Sequence, residues 1–110
     1  MFGRQVTLKL KANSATDFTR IADDTIIPIL RKHKGFRDET TFIAPERSEA
    51  IASSFWDTKE DAEAYSRTGY PEVLKTLSNV IDGTPTVKMF EIANSTFHKT
   101  VAAGAGAKLV

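Results

Sequence analysis

The sequence predicts an α+β fold in which two helices cover one face of a four-stranded antiparallel sheet. Two observations predict it. Four short segments have the apolar alternation of strands, and two longer segments carry apolar residues at helical spacing. They follow the order strand, helix, strand, strand, helix, strand, which is a variant of the ferredoxin-like βαββαβ arrangement.

Chain length and charge narrow the class of protein. The chain of 110 residues is long enough for one domain, which we assign to residues 1–95, and residues 96–110 form a predicted flexible tail that contains Ala and Gly. The 15 basic and 14 acidic residues are scattered, so the sequence indicates neither nucleic-acid binding nor attachment to an anionic membrane. The lack of cysteine and of a membrane-spanning apolar run favours a cytoplasmic protein.

The first strand and the first helix are predicted from two different periods. Apolar and polar residues alternate through residues 6–10, which is typical of a strand with one buried face. Ser14 is a candidate N-cap for a helix that ends near Gly35. Because Pro28 cannot donate a backbone hydrogen bond, we expect this helix to bend or break near residues 26–27.

The second and third strands form a predicted hairpin. They span residues 36–44 and Glu49–Trp56, with a short loop of turn-forming residues between them. Asp57 follows at once as the expected N-cap of the second helix, and Glu60 completes a capping box.

The second helix is predicted to be interrupted. Residues 66–70 break its apolar stripe and contain Gly69 as a possible hinge, so they are the candidate lid. Pro71 suits the first turn of a new helical segment, whose stripe continues to Ile81. Residues 87–92 form the fourth strand.

Apolar residues occur on both faces of the predicted sheet. In the third strand Ile51 and Phe55 point away from the face that carries Trp56, and the fourth strand alternates in the same way. A sheet covered by helices on one side alone should have a polar second face. The sequence therefore predicts a homodimer that packs two sheets face to face around a two-fold axis.

The segment SSFWDTKEDAEAY, residues 53–65, and the turn HKGF, residues 33–36, resemble the antibiotic biosynthesis monooxygenase family of dimeric α/β barrels. The resemblance extends over residues 6–92. It implies a barrel built from two copies of the chain, and a cavity between the sheet and the helices of each subunit.

The resemblance also implies a reaction. Oxygenases of this family act on small aromatic phenols or quinols, whose deprotonated form reacts directly with dioxygen, so no cofactor and no metal is expected. Trp56, Tyr65 and Tyr70 are the expected substrate-binding residues. His33 and Tyr65 are the expected catalytic residues, with His33 as the proton acceptor.

A haem-degrading branch of the same superfamily is disfavoured. By an ungapped alignment, Tyr65 and Lys75 stand where that branch has a tryptophan and a histidine, and the first strand offers no asparagine. An unusual ligand such as His33 is the remaining option for haem. His98 has no companion ligand and suggests no metal site.

Each candidate residue also has a purely structural interpretation, and so does the protein. Trp56 can be a packing residue, which we favour over a stacking role, and His33 can simply interact with the end of the first helix. The alternative to a monooxygenase is a non-catalytic homodimeric module that binds a small ligand or serves in a stress response.

Overall fold

The computed structural model describes residues 1–98 and confirms the predicted α+β architecture. The strands are β1 (Phe2–Leu10), β2 (Phe36–Ile43), β3 (Glu49–Trp56) and β4 (Ile81–Glu91), and the helices are α1 (Ala15–Ile21), α2 (Ile27–Arg31) and α3 (Lys59–Leu77). A π-helical segment, Ala22–Ile26, joins α1 to α2. The sheet order is β2-β3-β1-β4, and every neighbouring pair is antiparallel. Residues 99–110 of the predicted tail lie outside the described residues.

The helices cover one face of the sheet, and the core lies between the two layers. From β1 and β3 the sheet contributes Leu8, Ala50 and Trp56, which are all buried. Phe18 and Leu77 are buried on the helical side of the same cluster. Burial of these side chains is the main stabilising term of the fold, at roughly 25 cal/mol for each Å² removed from water.

The first helical region is irregular close to Pro28, as the sequence predicts. Ser14 is the N-cap of α1, although its side chain makes no capping hydrogen bond. The π-helical segment ends at Ile26, and Pro28 then occupies the first turn of α2. Because the ring nitrogen of Pro28 has no hydrogen to donate, the α-helical bond to the Asp24 carbonyl cannot form, and just before it the Ile27 amide donates to the Ala22 carbonyl in the wider π-helical spacing.

Two predictions about α3 were wrong. The N-cap is Thr58 rather than Asp57: the Thr58 side chain accepts a hydrogen bond from the Asp61 amide at 3.0 Å. Asp57 instead accepts a hydrogen bond from Arg37 of β2. The expected capping box with Glu60 is therefore replaced by a cap that begins one residue later.

Residues 66–70 are the second correction, because α3 runs through them without interruption. Pro71 lies inside the helix, and the carbonyl that it leaves without an amide donor belongs to the exposed Arg67. Gly69 is buried in the same stretch. Tertiary packing has overridden the local propensity of these residues, so they do not form a lid.

The fourth strand is longer than the sequence predicts. It begins at Ile81, which the helical periodicity had assigned to the second helix, and it contains Pro85. A proline is tolerated there because β4 is an edge strand, with an unpaired side where no amide is needed.

The face of the sheet away from the helices carries apolar residues. Phe42 of β2 is 56 % exposed and Phe90 of β4 is 48 % exposed, and Ile51 and Phe55 lie between them. We call these four residues the open-face cluster. Residues that follow β4 reach the edge of the open-face cluster, where the His98 ring lies 5.7 Å from the Phe55 ring. No helix within residues 1–98 is both long and apolar enough to cross a membrane.

Candidate functional site

A cavity of about 40 Å³ lies between the helical layer and the sheet. Its wall is mostly apolar and includes Leu8, Phe18 and Leu30. This volume can hold water, and it is smaller than the roughly 150 Å³ of a protein cavity that binds benzene. An aromatic ligand therefore has to displace side chains or part of the helical layer as it enters.

Six residues with polar side chains lie on the cavity wall: Arg4, Glu39, Thr41, Ser54, Tyr65 and Tyr70. The backbone explains why the strand residues meet there. Arg4 pairs with Ser54, and Ser54 pairs with Glu39 on its other side, so these three side chains share the face toward the helices. Tyr65 and Tyr70 come from α3 above them.

The Arg4 guanidinium is buried beneath two aromatic rings. The residue is 3 % exposed, and its central guanidinium carbon lies 4.1 Å from the centroid of the Tyr70 ring and 5.1 Å from that of Tyr65. Its Nε donates a hydrogen bond to Ser66 Oγ at 2.8 Å. Burial lowers the pKa of Arg4 from its ordinary value, but an arginine remains protonated in a protein.

Tyr65 is the centre of the aromatic packing. Its ring stacks on the Trp56 ring with centroids 5.1 Å apart, and the His33 ring meets it edge-on at 5.2 Å. Burial raises the pKa of the Tyr65 phenol to about 12. At neutral pH this phenol is therefore un-ionised, and it can donate a hydrogen bond.

Trp56 lies behind Tyr65 and is not among the residues that line the cavity. It is fully buried, and its Nε1 donates a hydrogen bond to Ser54 Oγ at 2.9 Å. It also packs against the Phe36 ring at 5.5 Å. The geometry is that of the packing interpretation, in which Trp56 holds Tyr65 in position.

Tyr70 lies in the middle of α3, not in the loop that the sequence predicts. Its hydroxyl oxygen is buried and has no hydrogen-bond partner among residues 1–98. Burial also raises the pKa of this phenol above its ordinary value. A buried hydroxyl without a partner is costly in a folded protein and is a candidate ligand contact.

Glu39, like Arg4, is a cavity residue that the sequence analysis missed. It accepts a hydrogen bond from Thr41 Oγ1 at 2.6 Å, and burial, reinforced by nearby Asp23, raises its pKa. The cavity shares Glu39, Thr41 and Ala22 with a surface depression of about 360 Å³ between β2 and the π-helical segment. Glu39 therefore lies where the cavity approaches the surface.

The two histidines within the described residues lie away from the cavity wall. His33 follows α2 and fits against α3 because position 69 is glycine: a Cβ there would lie 2.5 Å from His33 Nε2. His98 pairs with Asp38, which faces the open side of the sheet. Residues 1–98 contain no cluster of three or more His, Asp or Glu side chains that could hold a metal ion.

Several solved structures share this fold. The sequence matches no protein-family model and no curated protein. A monooxygenase from the gene ActVA-Orf6 of Streptomyces coelicolor, solved with the ligand nanaomycin D, superposes with a TM-score of 0.73 and 14 % identity, over 89 % of this chain and 92 % of that one. SnoaB, a cofactor-independent oxygenase from Streptomyces nogalater, gives a TM-score of 0.69 and 11 % identity over 86 % and 95 % of the two chains.

The chain has the fold of the antibiotic biosynthesis monooxygenases. A protein from Nitrosomonas europaea that was assigned to that family matches with a TM-score of 0.71 and 14 % identity, over 86 % of this chain and the whole of that one. At such identities the likeness establishes the fold, and the reaction has to be argued from the cavity.

Proposed function

We propose that the protein is a cofactor-independent monooxygenase that oxygenates a small aromatic phenol or quinol. One observation carries the proposal. The cavity places two un-ionised phenols and a carboxyl group of raised pKa on an otherwise apolar wall, in the fold of structures that include a named cofactor-independent oxygenase. An apolar site with a few polar groups suits an aromatic ring with one or two oxygen atoms.

The reaction needs little from the protein. A phenol with a free ring position opposite its hydroxyl reacts with dioxygen to give the quinone and one water molecule, so the substrate supplies all four electrons. The protein has to bind the ring, accept the phenolic proton and exclude bulk water. In the proposal Tyr65 and Tyr70 bind substrate oxygen atoms, and Trp56 acts by supporting Tyr65.

Glu39 replaces His33 as the proposed proton acceptor. Of the two, Glu39 lies on the cavity wall, whereas His33 packs behind Tyr65. A carboxylate whose pKa is raised is a stronger base than an ordinary one and works closer to neutral pH. His33 is then a packing residue that fixes the edge of the Tyr65 ring.

Oxygen consumption tests this proposal. Purified protein is mixed with a panel of naphthols, anthrones and quinols in air, and oxygen uptake and quinone formation are followed against a sample without protein. We expect uptake with at least one compound, and a loss of about 10²-fold or more in Glu39→Gln, as for removal of a general base. Glu72→Gln, an exposed carboxyl of α3, is the matched control. The absence of turnover across the panel would favour a non-catalytic ligand-binding module.

We also propose that the protein is a homodimer through the open face of the sheet. Phe42 and Phe90 lie on the two edge strands, so the apolar surface extends across the whole width of the sheet. A second copy of the same face is the occupant that the two-fold symmetry of most small oligomers favours.

A further inference from the structure

Arg4 carries a buried positive charge that pairs with no carboxylate of residues 1–98. Among residues 1–98 no carboxylate oxygen lies within 4.0 Å of its guanidinium nitrogens. Removing an unpaired charge from water is costly, and proteins normally pair such a charge. A residue of this kind at the wall of a cavity therefore points to a counter-charge that is supplied from outside the chain.

The hydrogen-bonding of Arg4 leads to the same inference. A guanidinium has five N–H donors. Within the described chain Ser66 Oγ takes the Nε hydrogen. The Tyr65 and Tyr70 rings attract the cation through their faces, and the Tyr70 hydroxyl lies near enough to the guanidinium to oppose the effect of burial on the pKa of both groups. Arg4 is thus held in position, and the N–H groups that Ser66 does not take remain for a ligand.

Glu39 does not serve as the counter-ion, although it shares the cavity. It lies outside the 4.0 Å limit from Arg4, and its hydrogen bond is to Thr41. Burial raises its pKa, and Arg4 is not among the groups that shift it, so the two side chains do not behave as an ion pair. An anion that enters the cavity therefore does not have to displace Glu39 from the guanidinium of Arg4.

We propose that Arg4 makes the cavity selective for an aromatic ring that carries an anionic oxygen, a phenolate or an aromatic carboxylate. The oxygen would accept hydrogen bonds from the remaining N–H groups of Arg4 and from the Tyr70 hydroxyl, whose hydrogen has no acceptor among residues 1–98. The ring would pack against the apolar wall formed by side chains such as Leu8 and Leu30. The inference rests on the proposed function only in taking the same cavity as the ligand site, and it requires no turnover.

Two pairs of probes test the selectivity by calorimetric titration. A hydroxynaphthoquinone that is anionic at neutral pH is compared with the parent naphthoquinone, and naphthoate is compared with naphthamide. We expect each anion to bind about tenfold or more tightly than its neutral partner, the size of one charge-assisted hydrogen bond. A preference in the first pair alone identifies phenolates as the ligand class, and a preference in the second pair alone identifies carboxylates.

Variants at position 4 assign the selectivity to the guanidinium. Arg4→Met should bind the neutral probes as the wild type does and lose the preference for anions. Arg4→Lys keeps the charge without the planar donor geometry and should keep part of the preference. Replacement of an unpaired buried charge by an apolar side chain should not prevent folding, and circular dichroism of both variants checks this.

A nitrophenol gives a second readout that needs no variant. Its anion is yellow, so its absorbance reports how much of the bound phenol is ionised. We expect the bound phenol to have a pKa at least about one unit lower than the free phenol, which corresponds to tenfold tighter binding of the anion. Equal affinity for anionic and neutral probes, together with an unshifted or raised phenol pKa, would overturn the assignment, whether or not the protein consumes oxygen.

Discussion

The Tyr70 hydroxyl is expected to lower the stability of the free protein and to strengthen the binding of a ligand. The oxygen is buried and has no partner among residues 1–98, so the free protein bears the cost of its lost hydration. Tyr70→Phe should therefore raise the free energy of unfolding by about 1 kcal/mol while weakening the binding of phenols. Chemical denaturation and calorimetry measure the two effects.

Tyr65→Phe is the matched control for this prediction. It removes the same atom from the neighbouring phenol, which is not one of the buried groups without a partner. We expect no comparable gain in stability from it. Equal stabilisation by both variants would show that the missing partner of Tyr70 is not the cause.

Glu39 should make stability depend on pH in a defined direction. Its pKa in the folded protein is raised above the ordinary value of 4.5, so folding favours the protonated form. This contribution to stability is complete below pH 4.5 and is lost as the pH rises through the raised pKa of the folded state. The wild type should thus lose stability relative to Glu39→Gln as the pH rises from below 4.5 toward neutral.

Urea denaturation over that pH range measures the Glu39 effect. Glu72→Gln, which alters an exposed carboxyl on α3, should follow the wild-type curve. If the free energies of unfolding of the wild type and Glu39→Gln change in parallel with pH, the Glu39 carboxyl group is not desolvated in the way that its position indicates.

Arg4 and Glu39 were within reach of sequence analysis, but neither was found. Arg4 is in phase with the apolar alternation of β1, which places it on the buried face, and Glu39 is in phase with Ile43 of β2. A charged residue in phase with buried positions is a signal for a functional group. What the sequence could not supply is the pairing of β1, β2 and β3, which brings the two residues into one cavity.

Helix α3 shows why local propensity fails at some elements. The alternation of the strands and the effect of the proline in the first turn of α2 were correctly predicted, because each depends on residues close together in the chain. The stretch from Ser66 to Pro71 contains residues that usually end a helix, yet the helix continues, and Gly69 leaves room for the His33 ring to pack against α3. That contact joins distant segments, and single-sequence periodicity does not contain it.

Gly69→Ala should destabilise the protein, although alanine is the better helix former. The substitution gains about 1 kcal/mol of helix propensity. A Cβ at this position would, however, lie 2.5 Å from His33 Nε2 and 2.8 Å from atoms of the Tyr65 ring, so both side chains have to move. We expect a net loss of about 1–3 kcal/mol, as for an overpacked core. Arg67→Ala, an exposed change in the same turn, should be nearly neutral in the same denaturation experiment.

At the scale of the whole molecule, the two faces of the sheet differ in what they contact. The face toward the helices carries the core and the cavity, and it is closed within one chain. The opposite face exposes Phe42 and Phe90, which have no role in the cavity. An exposed apolar patch that spans a sheet generally marks an interaction surface, and a second copy would bury it without another protein.

Light scattering decides between monomer and dimer. We expect twice the monomer mass of 12.1 kDa for the wild type. Phe42→Glu and Phe90→Glu should each shift the equilibrium toward monomer by about tenfold or more, because a charge buried in an apolar interface has no partner. Thr68→Glu introduces the same charge on an exposed position of α3 and should leave the mass unchanged.

A wild-type mass of 12.1 kDa would mean that the open-face cluster remains in water, and the face-to-face barrel would have to be abandoned. The cavity lies on the other side of the sheet and within one chain, so its proposed ligand selectivity would stand in either case.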